Sequence, residues 1–160
     1  MAGEPVMGVF LADEQKTGVD IAGLRGLAES VLRAEGYPPT AEVTILLVDE
    51  PEMKAYNERF LERSGPTDVL AFPVEETRPG EVPDNSPDGP PLILGDVIIA
   101  PAYVARQAEE LGVGFADEMG LMAVHGVLHL MGYDHQDDAE AQVMEAKEAR
   151  ILDEAGLRRR

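Results

Sequence analysis

All three histidines of this 160-residue chain fall within eleven residues: His125-Gly-Val-Leu-His129-Leu-Met-Gly132-Tyr-Asp-His135. Their spacing dictates local structure. His125 and His129 stand at i and i+4, so on a helix their rings share one face, a turn apart. His135 cannot join them if that helix continues, because it would lie about 15 Å further along the axis. Gly132 removes the obstacle: it can take the left-handed conformation that ends a helix and turns the chain back. A helix stopping there brings His135 round to a third corner. Three neutral imidazoles leave a tetrahedral metal one position for water, the pattern of catalytic rather than structural zinc. Bound metal lowers the pKa of that water towards neutrality, so no strong side-chain base is needed. The competing readings are histidines scattered between core and surface, and a metal-free general acid–base. Cysteine is absent, which excludes disulfides and every thiolate site; a metal must take nitrogen and oxygen donors.

The spacing H-x3-H-x5-H, with glycine three residues after the second histidine, equals the metzincin peptidase pattern except at one place. Metzincins carry Glu directly after the first histidine as general base, and here that position is Gly126. Its absence argues against peptide hydrolysis and for a substrate cleaved in another way.

Around this motif the chain reads as one domain spanning residues 1–160, since lengths near 150 usually fold around a single core. Met7–Leu11 suits a strand. Asp20 precedes a helix with Ile21, Leu24, Leu27, Ala28, Val31 and Leu32 on one stripe, stopped by Gly36 and Pro38-Pro39. Val43–Val48 reads as a strand buried on both faces. Asp49 caps a helix with Pro51 in its first turn, running to about Leu61. Gly65-Pro66 punctuates, and Asp68–Phe72 forms a third strand. Residues 73–91 hold six prolines among Gly, Asp, Asn and Ser, so they are expected to form an exposed, mobile loop. Strand character resumes from Leu92 to Ile99 across Gly95, a candidate bulge. Helices are expected over Pro101–Leu111, Phe115–Met131 and Gln136–Ala155, and residues 156–160 as a flexible tail. The fold class is α+β: a single small mixed β-sheet packed with helices, carrying a zincin-like (metzincin-like) three-His site.

Thirteen basic against 31 acidic residues leave a net charge of −18. Such a chain gains nothing from bulk attraction to nucleic acid or anionic lipid unless basic residues cluster. No apolar run approaches the roughly 20 residues of a membrane span. The first residues lack a basic n-region, so no signal peptide is supported and a cytoplasmic protein is expected.

The histidine motif, Gly65-Pro-Thr-Asp-Val-Leu-Ala-Phe-Pro73 and Leu94-Gly-Asp-Val-Ile-Ile99 together resemble the bacterial YbeY family of endoribonucleases, over roughly residues 40 to 155. The resemblance implies one zinc ion per chain on His125, His129 and His135, and cleavage of single-stranded RNA. It further implies a role in 16S rRNA 3′-end maturation and ribosome quality control alongside the small ribosomal subunit, with no DNA or membrane partner. Rival readings are a three-His hydrolase of esters or peptides, and a non-enzymatic ribosome-assembly factor braced by zinc. In much of the family an Arg follows the Asn-x-x-aromatic segment; here Asn57-Glu-Arg-Phe60 leads to Leu61, with Arg59 and Arg63 to either side.

Supporting roles fall to few residues. Asp134 is a candidate to orient a ligand or assist catalysis, or else it stabilises the turn. Glu118, two turns before His125, reads as solvated or capping. Asp96 is a bulge residue or an acceptor near the site, and Tyr133 a donor near the metal or half-buried packing. Arg59 and Arg63 face the same way on a helix and, with Lys54, could form a positive rim that grips phosphates or contributes to catalysis. The alternative for these three is a solvated helix face.

Overall fold

The computed structural model describes residues 8–61 and 67–160. Four strands form one mixed sheet in the order β1-β2-β4-β3. Strands β1 (Gly8–Glu14), β2 (Glu42–Val48) and β4 (Ile93–Ile99) run parallel, and β3 (Val69–Pro73) pairs antiparallel with β4 at one edge. Five helices complete the described chain: α1 (Ile21–Ala34), α2 (Glu50–Leu61), α3 (Pro101–Leu111), α4 (Phe115–Leu130) and α5 (Asp138–Glu154). No single helix is long and apolar enough to cross a membrane among the described residues.

Helix boundaries follow local chemistry. Asp20, Asp49 and Asp137 each accept a hydrogen bond from a first-turn backbone N–H, at 3.0, 2.9 and 2.8 Å respectively. Such caps satisfy amides that the helix itself leaves unpaired. Pro101 opens α3, and Gly112, in the left-handed region at φ 69°, closes it. The bulge expected at Gly95 is present: Glu42 pairs with Ile93 but Val43 pairs with Gly95, so Leu94 is the extra residue. Gly95 has φ 142°, and a Cβ there would stand 2.2 Å from the Phe72 carbonyl oxygen, so the close approach of β3 demands glycine.

The two faces of the sheet differ. Val43, Ile45, Leu47, Val97 and Ile99 join the main core with residues of α1, α4 and α5. Helix α4 is the centre of that core: eleven of its sixteen residues are buried, on every side. The reverse face carries a smaller cluster of Val48, Leu70 and Ile98 with Met53 of α2, flanked by Leu46, Tyr56 and Phe72. Strand β2 was expected to be buried on both faces, yet Thr44 and Leu46 are only half-buried. Helix α2 leaves a groove there, lined by Thr44, Leu46, Tyr56, Phe60, Phe72 and Asp96.

Between β3 and β4 the chain is mostly exposed, with an isolated bridge joining Arg78 to Glu81. Its near end is anchored on α4, since Thr77 Oγ1 donates to the Leu130 carbonyl at 2.8 Å. Residues 156–160, expected as a flexible tail, are instead docked. Gly156 turns the chain at φ 77°, Leu157 packs on the core, and the Arg158 backbone N–H donates to Asp117 at 2.9 Å.

Candidate metal centre

Helix α4 presents His125 and His129 one turn apart and ends one residue after the second. Gly132 then takes φ 95°, and the Tyr133 N–H returns to the Leu128 carbonyl at 3.2 Å, closing the turn. A Cβ at position 132 would lie 2.8 Å from the Thr77 carbonyl oxygen and 3.0 Å from Arg78 Cα. Glycine is therefore required both by the backbone angle and by the chain lying over it. The reversal delivers His135. Ring centroids lie 4.5 Å apart for His125 and His129, 5.4 Å for His125 and His135, and 5.2 Å for His129 and His135. One ring nitrogen from each histidine lies within 4.8 Å of the others.

The rings are oriented from behind. His125 Nδ1 donates to Glu148 Oε2 at 2.5 Å, which leaves the lone pair of its Nε2 towards His129, whose Nε2 is 3.0 Å away. Glu148 lies on α5, is 1% exposed, and its other oxygen accepts from Arg159 Nε at 2.9 Å. Burial raises the Glu148 carboxyl, but the hydrogen bonds from His125 and Arg159 outweigh it and hold the group below its ordinary range. Burial, followed by the neighbouring His125 and His135, lowers the His129 imidazole to about 4. Its lone pair is thus free at neutral pH. Three converging nitrogens, one backed by a buried carboxylate, form a donor set suited to a borderline divalent ion such as zinc.

The histidines open into a cleft of about 560 Å³. Residues 67–71 and Pro73, along the β3 edge, form one wall; Leu121, Met122 and Gly126 of α4 form another, and Arg159 and Arg160 border it. At Gly126 the helix lies against the sheet: a Cβ there would meet Val97 Cγ1 at 2.5 Å. The position that would carry a metzincin base is occupied by helix–strand packing.

A family model described as "Endoribonuclease YbeY" matches residues 10–156. The chain belongs to the YbeY family. Relatives named Endoribonuclease YbeY include one from Acidothermus cellulolyticus, 44% identical over 91% of this chain and 90% of its own length. Another, from Thermobifida fusca, is 42% identical over 96% of both chains. A Thermotoga maritima protein solved in solution has the same fold, with a TM-score of 0.62 and 27% identity over 92% of this chain and 88% of that one.

Within this YbeY chain, other residues proposed from sequence take varied places. Asp134 Oδ1 accepts the His135 backbone N–H at 2.8 Å, so it shapes the turn that presents the third histidine. Arg59 lies on α2 over the reverse face of the sheet, its guanidinium 5.2 Å from the Phe60 ring centroid, and is not among the cleft residues. Arg63 lies outside the described residues. Lys54 is exposed beside Glu58, at 3.9 Å. Asp96 faces the reverse groove rather than the histidines, because it alternates along β4 with Val97, which packs under Gly126. Tyr133 is no donor to the metal centre: its hydroxyl donates to Glu35, which also pairs with Lys147 at 3.0 Å.

Glu118, expected to be solvated or capping, is 1% exposed, accepting from Gln107 Nε2 at 2.7 Å and from Arg160 Nε at 2.9 and 3.0 Å. Sequence reasoning missed Glu148, Arg159 and Arg160 as parts of the cleft. A signal for Glu148 existed: it shares the buried stripe of α5 with Met144, Ile151 and Leu152. A carboxylate on an apolar stripe requires a partner.

Proposed function

We propose that this chain is a zinc-dependent endoribonuclease that cuts single-stranded RNA in 16S rRNA 3′-end maturation and ribosome quality control. It would act with the small ribosomal subunit in the cytoplasm. Membership of the YbeY family supports the reaction class. The observation that carries the metal dependence is the convergence of His125, His129 and His135 with Glu148 behind the first. A divalent ion held by these three imidazoles would supply Lewis acidity to a phosphoryl oxygen.

The protein's own groups do the rest. Glu148 keeps the His125 proton on Nδ1 and its ring in one orientation. His129, neutral down to about pH 4, needs no proton removed before it can ligate. Gly126 leaves no carboxylate beside the first histidine, which favours phosphodiester over peptide cleavage. The helix-then-reversal course of the motif also supports a zincin-like arrangement of ligands.

The test uses the purified chain loaded with zinc, and the same chain after chelation, on single-stranded RNA and on panels of peptides and esters. RNA should be cut only by the metal-loaded form, and a folded His129→Ala variant should lose both metal and cleavage. Cleavage of peptides or esters with RNA left intact would overturn the reading. So would undiminished RNA processing by a folded His129→Ala variant.

A further inference from the structure

A chain of net charge −18 needs local positive groups to hold a polyanion. Of the rim expected on α2, the described residues Arg59 and Lys54 do not line the cleft, as Arg59 lies over the other face of the sheet. Two other cations do. Arg159 and Arg160 border the same cleft as His125, His129 and His135, and each is fixed at its root by a carboxylate 1% exposed. Arg159 Nε donates to Glu148 at 2.9 Å, and Arg160 Nε to both oxygens of Glu118 at 2.9 and 3.0 Å. The arginine side chains remain 23% and 39% exposed. Each pair is therefore a dipole with its negative end sealed in the protein and its positive end at the cleft.

The donors are unequally used. Arg159 also gives Nη1 to the Arg160 main-chain oxygen at 2.6 Å, and its Nη2 lies 3.8 Å from Glu145. Arg160 engages the protein through Nε, and its two terminal nitrogens have no partner among the described residues. Those nitrogens form the planar fork that matches two oxygens of one phosphate. Glu148 adds register, since one carboxylate holds His125 through one oxygen and Arg159 through the other. The distance from the metal centre to the guanidinium is thereby set by two hydrogen bonds.

We propose that Arg159 and Arg160 are the phosphate-binding residues of the cleft, gripping the RNA backbone beside the scissile bond with Arg160 as the principal contact. This rests on the endoribonuclease reading. A double variant, Glu118→Gln with Arg160→Met, tests it without leaving a buried charge unpaired and without changing net charge. Binding of a non-cleavable 2′-O-methyl single-stranded oligonucleotide to the zinc-loaded protein is followed by fluorescence anisotropy over a salt series. Loss of one charged contact should weaken binding about threefold to tenfold. It should also reduce the slope of log affinity against log salt by about 0.7, the value for one phosphate on a single strand. Zinc content should not change, and in cleavage assays the loss should fall on KM more than on kcat. Unaltered affinity and slope in a folded, zinc-loaded variant would overturn the assignment while leaving the endoribonuclease reading intact. Wild-type protein that neither binds nor cuts RNA would overturn both. If the double variant folds poorly, Arg160→Lys keeps Glu118 paired but removes the fork: affinity should fall with the salt slope kept, and unchanged affinity refutes the role.

Discussion

Replacing Gly126 by alanine should have opposite effects on stability depending on residue 97. The added methyl would sit 2.5 Å from Val97 Cγ1 and 3.1 Å from its Cγ2, closer than carbon atoms approach without displacement. Val97 is fully buried on β4 and β-branched, so it cannot swing aside freely. Overpacking of this kind costs about 1–3 kcal/mol. Against it stands the helix preference for alanine over glycine, worth about 1 kcal/mol. The net expectation is a loss of roughly 0–2 kcal/mol for Gly126→Ala alone. Truncating Val97 to alanine removes both clashing methyls and leaves its Cβ at 3.4 Å, an ordinary contact. In that background Gly126→Ala should gain about 1 kcal/mol or more, from helix preference and from refilling the space. The four proteins form a double-mutant cycle, read by urea denaturation at constant m-value, with a coupling of about 1–3 kcal/mol. If Gly126→Ala stabilises both backgrounds equally, close helix–strand packing is not what reserves this position for glycine. The explanation for the missing metzincin base then fails with it.

Glu148→Gln should weaken zinc binding about 10- to 100-fold, because His125 loses the carboxylate that orients it; competition against a chromophoric chelator measures this, and unchanged affinity would show that Glu148 serves the fold alone. Gly132→Ala places a side chain at φ 95° with its Cβ 2.8 Å from a backbone oxygen. It should cost about 1–3 kcal/mol in urea unfolding. It should also lower zinc affinity by shifting His135, and neutral behaviour on both counts would refute the account of the turn. For the metal-free chain, the His129 imidazole is lowered to about 4 from 6.5, so the unfolded state binds more protons between those values. That share of stability is complete above about pH 6.5 and is lost as pH falls towards 4, on the order of 1–2 kcal/mol after discounting for partial exposure. Comparing urea midpoints at pH 7 and 4.5 with those of His129→Gln isolates it; an equal acid loss in both proteins would remove His129 as the cause.

What was legible in the sequence was whatever a short window determines. Gly132 and the intervals among the histidines are local, so the helix end and the return of the third histidine to the other two could be read before any fold was known. The Asp caps and the Gly95 bulge are local in the same way. Asp96 shows where such reading stops: beyond the Gly95 bulge, alternation sets it opposite Val97 and Ile99, but which of the two faces meets α4 is decided only by the fold. The ion pairs of the cleft were beyond reach for a different reason. Arg159 meets Glu148 eleven residues away and Arg160 meets Glu118 forty-two away, and each pairing exists only because α4, α5 and the segment after Gly156 converge. In a linear reading those four residues look like solvated charges on acidic helices and a loose basic end.

The same convergence changes what the net charge means. A total of −18 appears hostile to a nucleic-acid substrate only if every carboxylate faces solvent. Glu118 and Glu148 face inward, where their negative charge is spent on Arg160, Arg159 and the His125 ring rather than on the approaching strand. A buried acid of this kind assists anion binding, since it holds the cation still and keeps the exposed end of the pair positive. Whether an acidic chain can engage RNA thus depends on which of its acids are buried behind bases. Neutralising Glu118 while keeping Arg160 should therefore weaken oligonucleotide binding rather than strengthen it, although the protein becomes less negative. In the same anisotropy assay, tighter binding by Glu118→Gln would show that bulk charge outweighs the placement of the guanidinium.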